Sequence, residues 1–183
     1  NPSWIAYDVL AQGEHDPNAK TFVIAKNKNI LLKVKNELQR IMKETKLKNV
    51  DRSIKNNCYL ILAKSQKEIF EITNFIAPEH LHIHEKFNKN MLKNIINAGS
   101  VFLGERSPVA LGDYTMGTNH VLPTDQTAKF SSGLGVEDYT KKTVFIKPGN
   151  KTLKKIAKPT INLARQEGLE AHALSVEIRK IKT

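Results

Sequence analysis

Three short runs, apolar almost from end to end, constrain this chain most: Thr21-Phe22-Val23-Ile24-Ala25, Cys58-Tyr59-Leu60-Ile61-Leu62-Ala63 and Ser100-Val101-Phe102-Leu103-Gly104. Strands without polar alternation belong in parallel sheets covered by helices, because only there is neither face left to water. The segments between them are amphipathic. Pro2 suits the first turn of a helix in which Trp4, Ile5, Val9 and Leu10 recur up to about His15, and Asp16-Pro17-Asn18 breaks it. Over 29–45, Ile30, Leu31, Val34, Leu38, Ile41 and Met42 mark the inner face of a long helix. Ser65 and Glu68 have capping-box spacing for a helix that turns Ile69, Phe70, Ile72 and Phe75 inward and stops before Pro78. This alternation predicts an α/β fold with a small sheet of three or four strands.

Beyond Pro78 the pattern predicts an extended stretch over 80–84 and a helix over 88–97. From 105 to 135 the sequence turns irregular and rich in Gly, Ser, Thr and Pro, and a loop of that length is commonly functional. A short helix over 136–142 and a strand over 143–147 are expected next. Two helices, over 151–166 and 169–180 and hinged at Gly168, close the chain and read as an arm. The expected division is therefore 1–135 for the α/β part and 136–183 for the arm.

Charge is a poor guide to function here. The 183 residues hold 29 Lys+Arg against 18 Asp+Glu, a net charge of +11, which raises the question of nucleic acid. The lysines are scattered along predicted helix surfaces, as in Lys26, Lys28, Lys33, Lys35, Lys43, Lys46 and Lys48, and again in Lys147, Lys151, Lys154, Lys155 and Lys158. Arginine occurs only at Arg40, Arg52, Arg106, Arg165 and Arg179, and aromatic residues are not interleaved with the basic ones. Stacking platforms and bidentate base readers are thus missing, and solvated lysine faces are the expectation. No run of about 18 apolar residues offers a membrane span. The single Cys58 excludes a disulfide framework within the chain and suits a reducing compartment, so a cytoplasmic setting is expected. The first residue is Asn1, not Met, which raises the expectation of a piece of something longer.

Several side chains can carry chemistry. Gln12 and His15, three apart on one helix, share a face and can begin a metal site. They can equally be a polar helix end. Glu79-His80, just past a helix stop, sets a carboxylate beside an imidazole with acid–base capacity near neutral pH. His82 and His84 continue a His-x-His-x-His row, three imidazoles on one side of a strand, which spacing alone leaves open between a metal site and an exposed face. Asp113 and His120 are the ionisable residues best placed in the irregular stretch, and His172 stands in the first turn of the last helix. Gly133-Leu134-Gly135 lacks both the third glycine and the preceding strand of a dinucleotide loop, and no P-loop occurs.

Several blocks along the chain are distinctive when taken together. They are Leu10-Ala11-Gln12-Gly13-Glu14-His15-Asp16, Ala77-Pro78-Glu79-His80-Leu81, Asn97-Ala98-Gly99-Ser100-Val101-Phe102-Leu103-Gly104 and Ala110-Leu111-Gly112-Asp113-Tyr114. They continue with Gly117-Thr118-Asn119-His120-Val121-Leu122-Pro123-Thr124, Phe130-Ser131-Ser132-Gly133-Leu134 and Glu167-Gly168-Leu169-Glu170-Ala171-His172. Together these blocks resemble histidinol dehydrogenase; the resemblance runs along essentially the whole chain and covers less than half of the family's protein, its C-terminal part. It implies part of an incomplete Rossmann-like α/β/α sandwich, followed by a helical arm exchanged in a homodimer. It implies Gln12, His15, Asp113 and His172 as ligands of a zinc ion, Glu79 and His80 as the acid–base pair, and His120 and Glu167 as substrate-holding residues. Substrate contact is implied for Gln12, His15, His80, Asp113 and His172 as well. The reaction implied is oxidation of L-histidinol to L-histidine through the aldehyde with two NAD⁺.

Three features depart from the family's pattern. His82 and His84 do not belong to it, so their row is expected to be incidental to chemistry. Gly13 stands where Ala is usual, a small loss of helix propensity. The N-terminal half, associated with NAD⁺ binding, is absent, so the chain alone is expected to be inactive and to expose a sheet edge and apolar helix faces. The alternatives are a metal-binding or assembly module of this family that does not catalyse and, more remotely, a nucleic-acid binder.

Overall fold

A computed structural model describes residues 1–45, 50–87 and 89–180. Lys46, Lys48 and the predicted helix start at Asn88 lie outside the described residues. The fold is mixed α/β and divides into two units, Asn1–Tyr139 and Thr140–Thr183.

In the first unit, α1 (Pro2–Gly13) opens on Asn1, whose side chain accepts the Ser3 N–H at 3.0 Å. β1 (Thr21–Ala25) follows, then α2 (Lys28–Thr45), α3 (Val50–Asn57) and β2 (Cys58–Leu62). β1 and β2 pair in parallel, Thr21 opposite Cys58 and Ala25 opposite Leu62. Ala6, Val9 and Leu10 of α1 meet Val23 of β1, Leu31, Val34, Leu38 and Ile41 of α2, and Val50 of α3 in one core. The opposite face of the pair carries Phe22 stacked on an exposed Tyr59. Gly13 is where α1 meets α3: a Cβ there would lie 2.8 Å from Ser53 Oγ and 3.0 Å from Ile54 Cδ1. A glycine in place of alanine therefore reflects close helix packing. The sequence reading did not include α3, whose Asp51–Lys55 pair and inward Val50 and Ile54 sit at i,i+4 spacing.

The chain continues through α4 (Gln66–Ile76), β3 (His80–Ile83), α5 (Lys89–Leu92), β4 (Ser100–Leu103) and α6 (Val109–Tyr114). Ser65 caps α4 by accepting the Glu68 N–H at 3.1 Å, while Glu68 accepts from the Lys64 N–H and not from that of Ser65. β3 and β4 pair in parallel, His80 opposite Ser100 and His82 opposite Phe102. The four strands form two separate pairs among the described residues.

Three local expectations are corrected. The helix expected over 88–97 shrinks to Lys89–Leu92 because the Asn74 side chain takes over the backbone beyond it. Asn74 Oδ1 accepts the N–H groups of Ile96 (2.9 Å) and Asn97 (3.1 Å), and its Nδ2 donates to Asn94 O at 2.8 Å. The helix expected over 136–142 is a single 3₁₀ turn, Val136–Tyr139, led by an Asp138 carboxylate that accepts the Gly135 N–H. The strand expected over 143–147 does not form, since no neighbouring strand among the described residues takes up its backbone groups, and Val144, Phe145 and Ile146 stand exposed. The irregular stretch itself contains α6 and a 3₁₀ turn, Thr127–Lys129.

The second unit is a helical hairpin of α7 (Asn150–Gln166) and α8 (Glu170–Lys180), packed on Ala157, Ile161 and Ala173. Gly168, at φ +75°, makes the turn between them.

Candidate active site

Glu79 and His80 owe their position to backbone contacts on either side. Ala77 takes the left-handed conformation (φ 48°), its N–H closing α4 on Thr73 O at 2.9 Å, and Pro78 prevents the helix from continuing. The chain is then zipped to the entry of β4. The Gly99 N–H donates to Pro78 O and the Ser100 N–H to Glu79 O, each at 2.9 Å. A Cβ on residue 99 would lie 2.6 Å from Glu79 O, so this approach requires glycine.

The His80 side chain is 12% exposed, with Nε2 at 3.8 Å from Asp113 Oδ1 and its ring 5.9 Å from that of Phe102. Its Nδ1 is buried without a hydrogen-bond partner among the described residues. Burial pushes the imidazole below the usual histidine range, and this outweighs the opposing pull of the Glu79 and Asp113 carboxylates, while His15 pushes it further down. Asp113 rides on α6 directly after Gly112, whose absent side chain makes room for the Phe102 ring. Gln12 lies on the last turn of α1, and its Oε1 is buried with no hydrogen-bond partner among the described residues. His15, two residues past that helix, is exposed and acts electrostatically on His80. His120 is exposed in the loop after α6, beside Asn119, which accepts the Val121 N–H and donates to Leu134 O. Glu167 caps α7 and His172 stands on α8, both exposed within the second unit.

A second constellation was not foreseen in full. On the His80 face of β3, His82 Nδ1 lies 3.1 Å from Asp8 Oδ2 of α1, and His84 Nε2 lies 3.3 Å from the same oxygen. Among the described residues this is the one group of three His, Cys, Asp or Glu side chains whose ligand atoms all fall within 4.8 Å. Burial raises the Asp8 carboxyl, but the two imidazoles outweigh it and hold it below its usual value. For His82 burial works downward, and Asp8 with the Gly104 carbonyl overcomes it, leaving a raised value.

A family model described as histidinol dehydrogenase matches residues 1–180. The chain belongs to the histidinol dehydrogenase family. It is 43% identical over 180 residues to the histidinol dehydrogenase of Listeria monocytogenes, covering 98% of this chain and 42% of that protein. The Methanocaldococcus jannaschii enzyme gives the same identity and coverage. The crystal structure of histidinol dehydrogenase from Elizabethkingia anophelis superposes with a TM-score of 0.81 at 31% identity, over 98% of this chain and 41% of that one. The chain thus spans about two-fifths of the length of these relatives.

Histidinol dehydrogenase residues expected as metal ligands divide between the two units: Gln12, His15 and Asp113 in the first, His172 in the second. Their donor set, an amide oxygen, two imidazoles and a carboxylate, suits a divalent cation, and the buried, unpaired Gln12 Oε1 is the atom that such a cation would satisfy. The expectation that His82 and His84 are incidental to chemistry overlooked Asp8. The two histidines were visible as a strand-spaced pair, whereas their acidic partner comes from a helix that only the fold brings to them.

Proposed function

We propose that this chain is the metal- and substrate-binding part of a histidinol dehydrogenase that oxidises L-histidinol to L-histidine through the aldehyde. The observation that carries this reading is the half-buried His80, backed by Asp113 at 3.8 Å and adjacent to Glu79, in a chain of that family. His80 takes the proton from the substrate hydroxyl in the first oxidation. Glu79 takes a proton from the water that adds to the aldehyde, which prepares the second. NAD⁺, held mainly by the N-terminal half of the enzyme, supplies the hydride acceptor in both oxidations. A zinc ion held by Gln12, His15, Asp113 and a partner-supplied His172 supplies a fixed positive centre that orients the substrate's amino and imidazole nitrogens. His120 and Glu167 hold the substrate. The arm crosses to a second subunit of a homodimer. Ile156, Leu163, Leu174 and Ile178 of the hairpin are exposed, and they offer an apolar surface for that docking. The setting proposed is the cytoplasm.

The test is NAD⁺ reduction with L-histidinol by the chain alone and by the chain co-expressed with an N-terminal half. The chain alone is expected to give no turnover and the pair to give turnover. In the active pair, His80→Asn and Glu79→Gln each lower kcat by about 10²–10⁴-fold. Wild-type kcat in either variant would overturn the assignment of the acid–base pair, and an inactive reconstituted pair would overturn the proposed activity.

A further inference from the structure

We propose that Asp8, His82 and His84 form a second metal site, taking a divalent transition-metal ion of zinc's size and softness. The proposal shares no ligand with the set Gln12, His15, Asp113 and His172 and does not rest on it.

The arrangement of His82 points to a cation. Its Nε2 lies 2.8 Å from Gly104 O, and a ring nitrogen meets a carbonyl oxygen at that distance only as an N–H donor. In the neutral ring, Nδ1 then carries a lone pair. That lone pair faces Asp8 Oδ2 at 3.1 Å with no hydrogen-bond alignment. Two electron-rich atoms so placed are stabilised by a positive charge between them. A ligating imidazole ordinarily has its other N–H anchored on a carbonyl, as Gly104 O anchors this one.

Distance and charge agree with this. With zinc–ligand bonds of about 2.0–2.1 Å, adjacent donors of a tetrahedron stand about 3.3 Å apart. The two edges meeting at Asp8 Oδ2 measure 3.1 and 3.3 Å. The His82 and His84 rings lie against each other in a tilted arrangement, centroids 3.8 Å apart and planes 31° from parallel. Protonating both would set two imidazolium rings with centroids only 3.8 Å apart, whereas one shared metal ion neutralises Asp8 without that repulsion. The three side chains are 9–20% exposed, so the site is partly dry yet open at one position. Three protein ligands leave that fourth position to water or a small anion. The site would join α1 to β3, four residues before Gln12 on one element and two residues after His80 on the other.

The test titrates the full chain carrying Gln12→Ala and Asp113→Asn with Zn²⁺ against a chromophoric chelator, and with Co²⁺ followed by its visible absorption. One ion per chain is expected, and adding His84→Gln or Asp8→Asn should weaken binding by about a hundredfold or more, beyond the loss typical of an outer-shell change. As a measurement free of substitutions, imidazole ¹⁵N spectra of the unsubstituted chain should show His82 Nδ1 and His84 Nε2 losing their metal-free positions as Zn²⁺ is added. Unchanged affinity in His84→Gln, no binding in the Gln12→Ala/Asp113→Asn background, or zinc saturation without movement of those two nitrogens would each overturn the proposal. None of these readouts depends on histidinol turnover, so failure here is distinguishable from failure of the proposed activity.

Discussion

Replacing Gly99 by alanine tests whether backbone packing positions Glu79 and His80. The added Cβ would lie 2.6 Å from Glu79 O and 3.1 Å from Pro123 Cδ, where ordinary contact begins at 3.4 Å. The first figure demands a separation of 3.4 − 2.6 = 0.8 Å between two stretches of backbone, and neither can swing aside as a flexible side chain would. That movement stretches both hydrogen bonds of the zipper, Gly99 N–H to Pro78 O and Ser100 N–H to Glu79 O. Overpacking costs about 1–3 kcal/mol, and each weakened hydrogen bond adds about 0.5–1.5 kcal/mol. A total of roughly 2–6 kcal/mol, at about 3 °C per kcal/mol, lowers Tm by about 6–18 °C. The assay is a thermal melt of the full chain followed by far-ultraviolet circular dichroism, paired with ¹⁵N spectra of the His80 ring. A variant that melts within 1 °C or so of the parent and leaves the His80 resonances in place would refute the reasoning, because either the approach or its role in placing the pair would be wrong.

Other substitutions probe neighbouring links. In Gly112→Ala the Cβ meets Phe102 Cε1 and Cζ at 2.7 Å, so a destabilisation of about 1–3 kcal/mol is expected together with altered His80 and His82 ring resonances, and silence in both measurements would count against the packing described. Ser65→Ala removes the acceptor of the Glu68 N–H and should cost about 1 kcal/mol in urea unfolding, with an unchanged midpoint contradicting the cap. Burial raises the Cys58 thiol against a weaker opposing influence of the nearby Thr21 hydroxyl, so the folded chain favours the protonated thiol. Its contribution to stability is therefore present below the usual thiol value and declines as pH rises through it; iodoacetamide should react slowly at pH 8 and at the rate of a free thiol once the chain is unfolded.

Much of the fold could be read from local pattern. The inner face of α2, the start of α4 at Ser65 and its stop before Pro78, and the apolar runs of β1, β2 and β4 all depend on neighbours a few residues away. Glu79, His80, Gln12, His15 and Asp113 could be singled out by residue type and motif. Long-range pairing could not be read in the same way. The run over 143–147 is apolar enough for a strand and forms none, because a strand exists only where another accepts its hydrogen bonds. The helix over 88–97 ends early through an asparagine from another helix. His82 and His84 looked like a strand face until α1 brought Asp8 within 3.1 and 3.3 Å of them. Sequence by itself determined the class of fold, the family and the residues able to do chemistry, since these follow from side-chain type and short-range spacing. Tertiary structure alone decided which of those residues meet, because a carboxylate on a helix and an imidazole on a strand become neighbours only when packing of the core sets one element against the other.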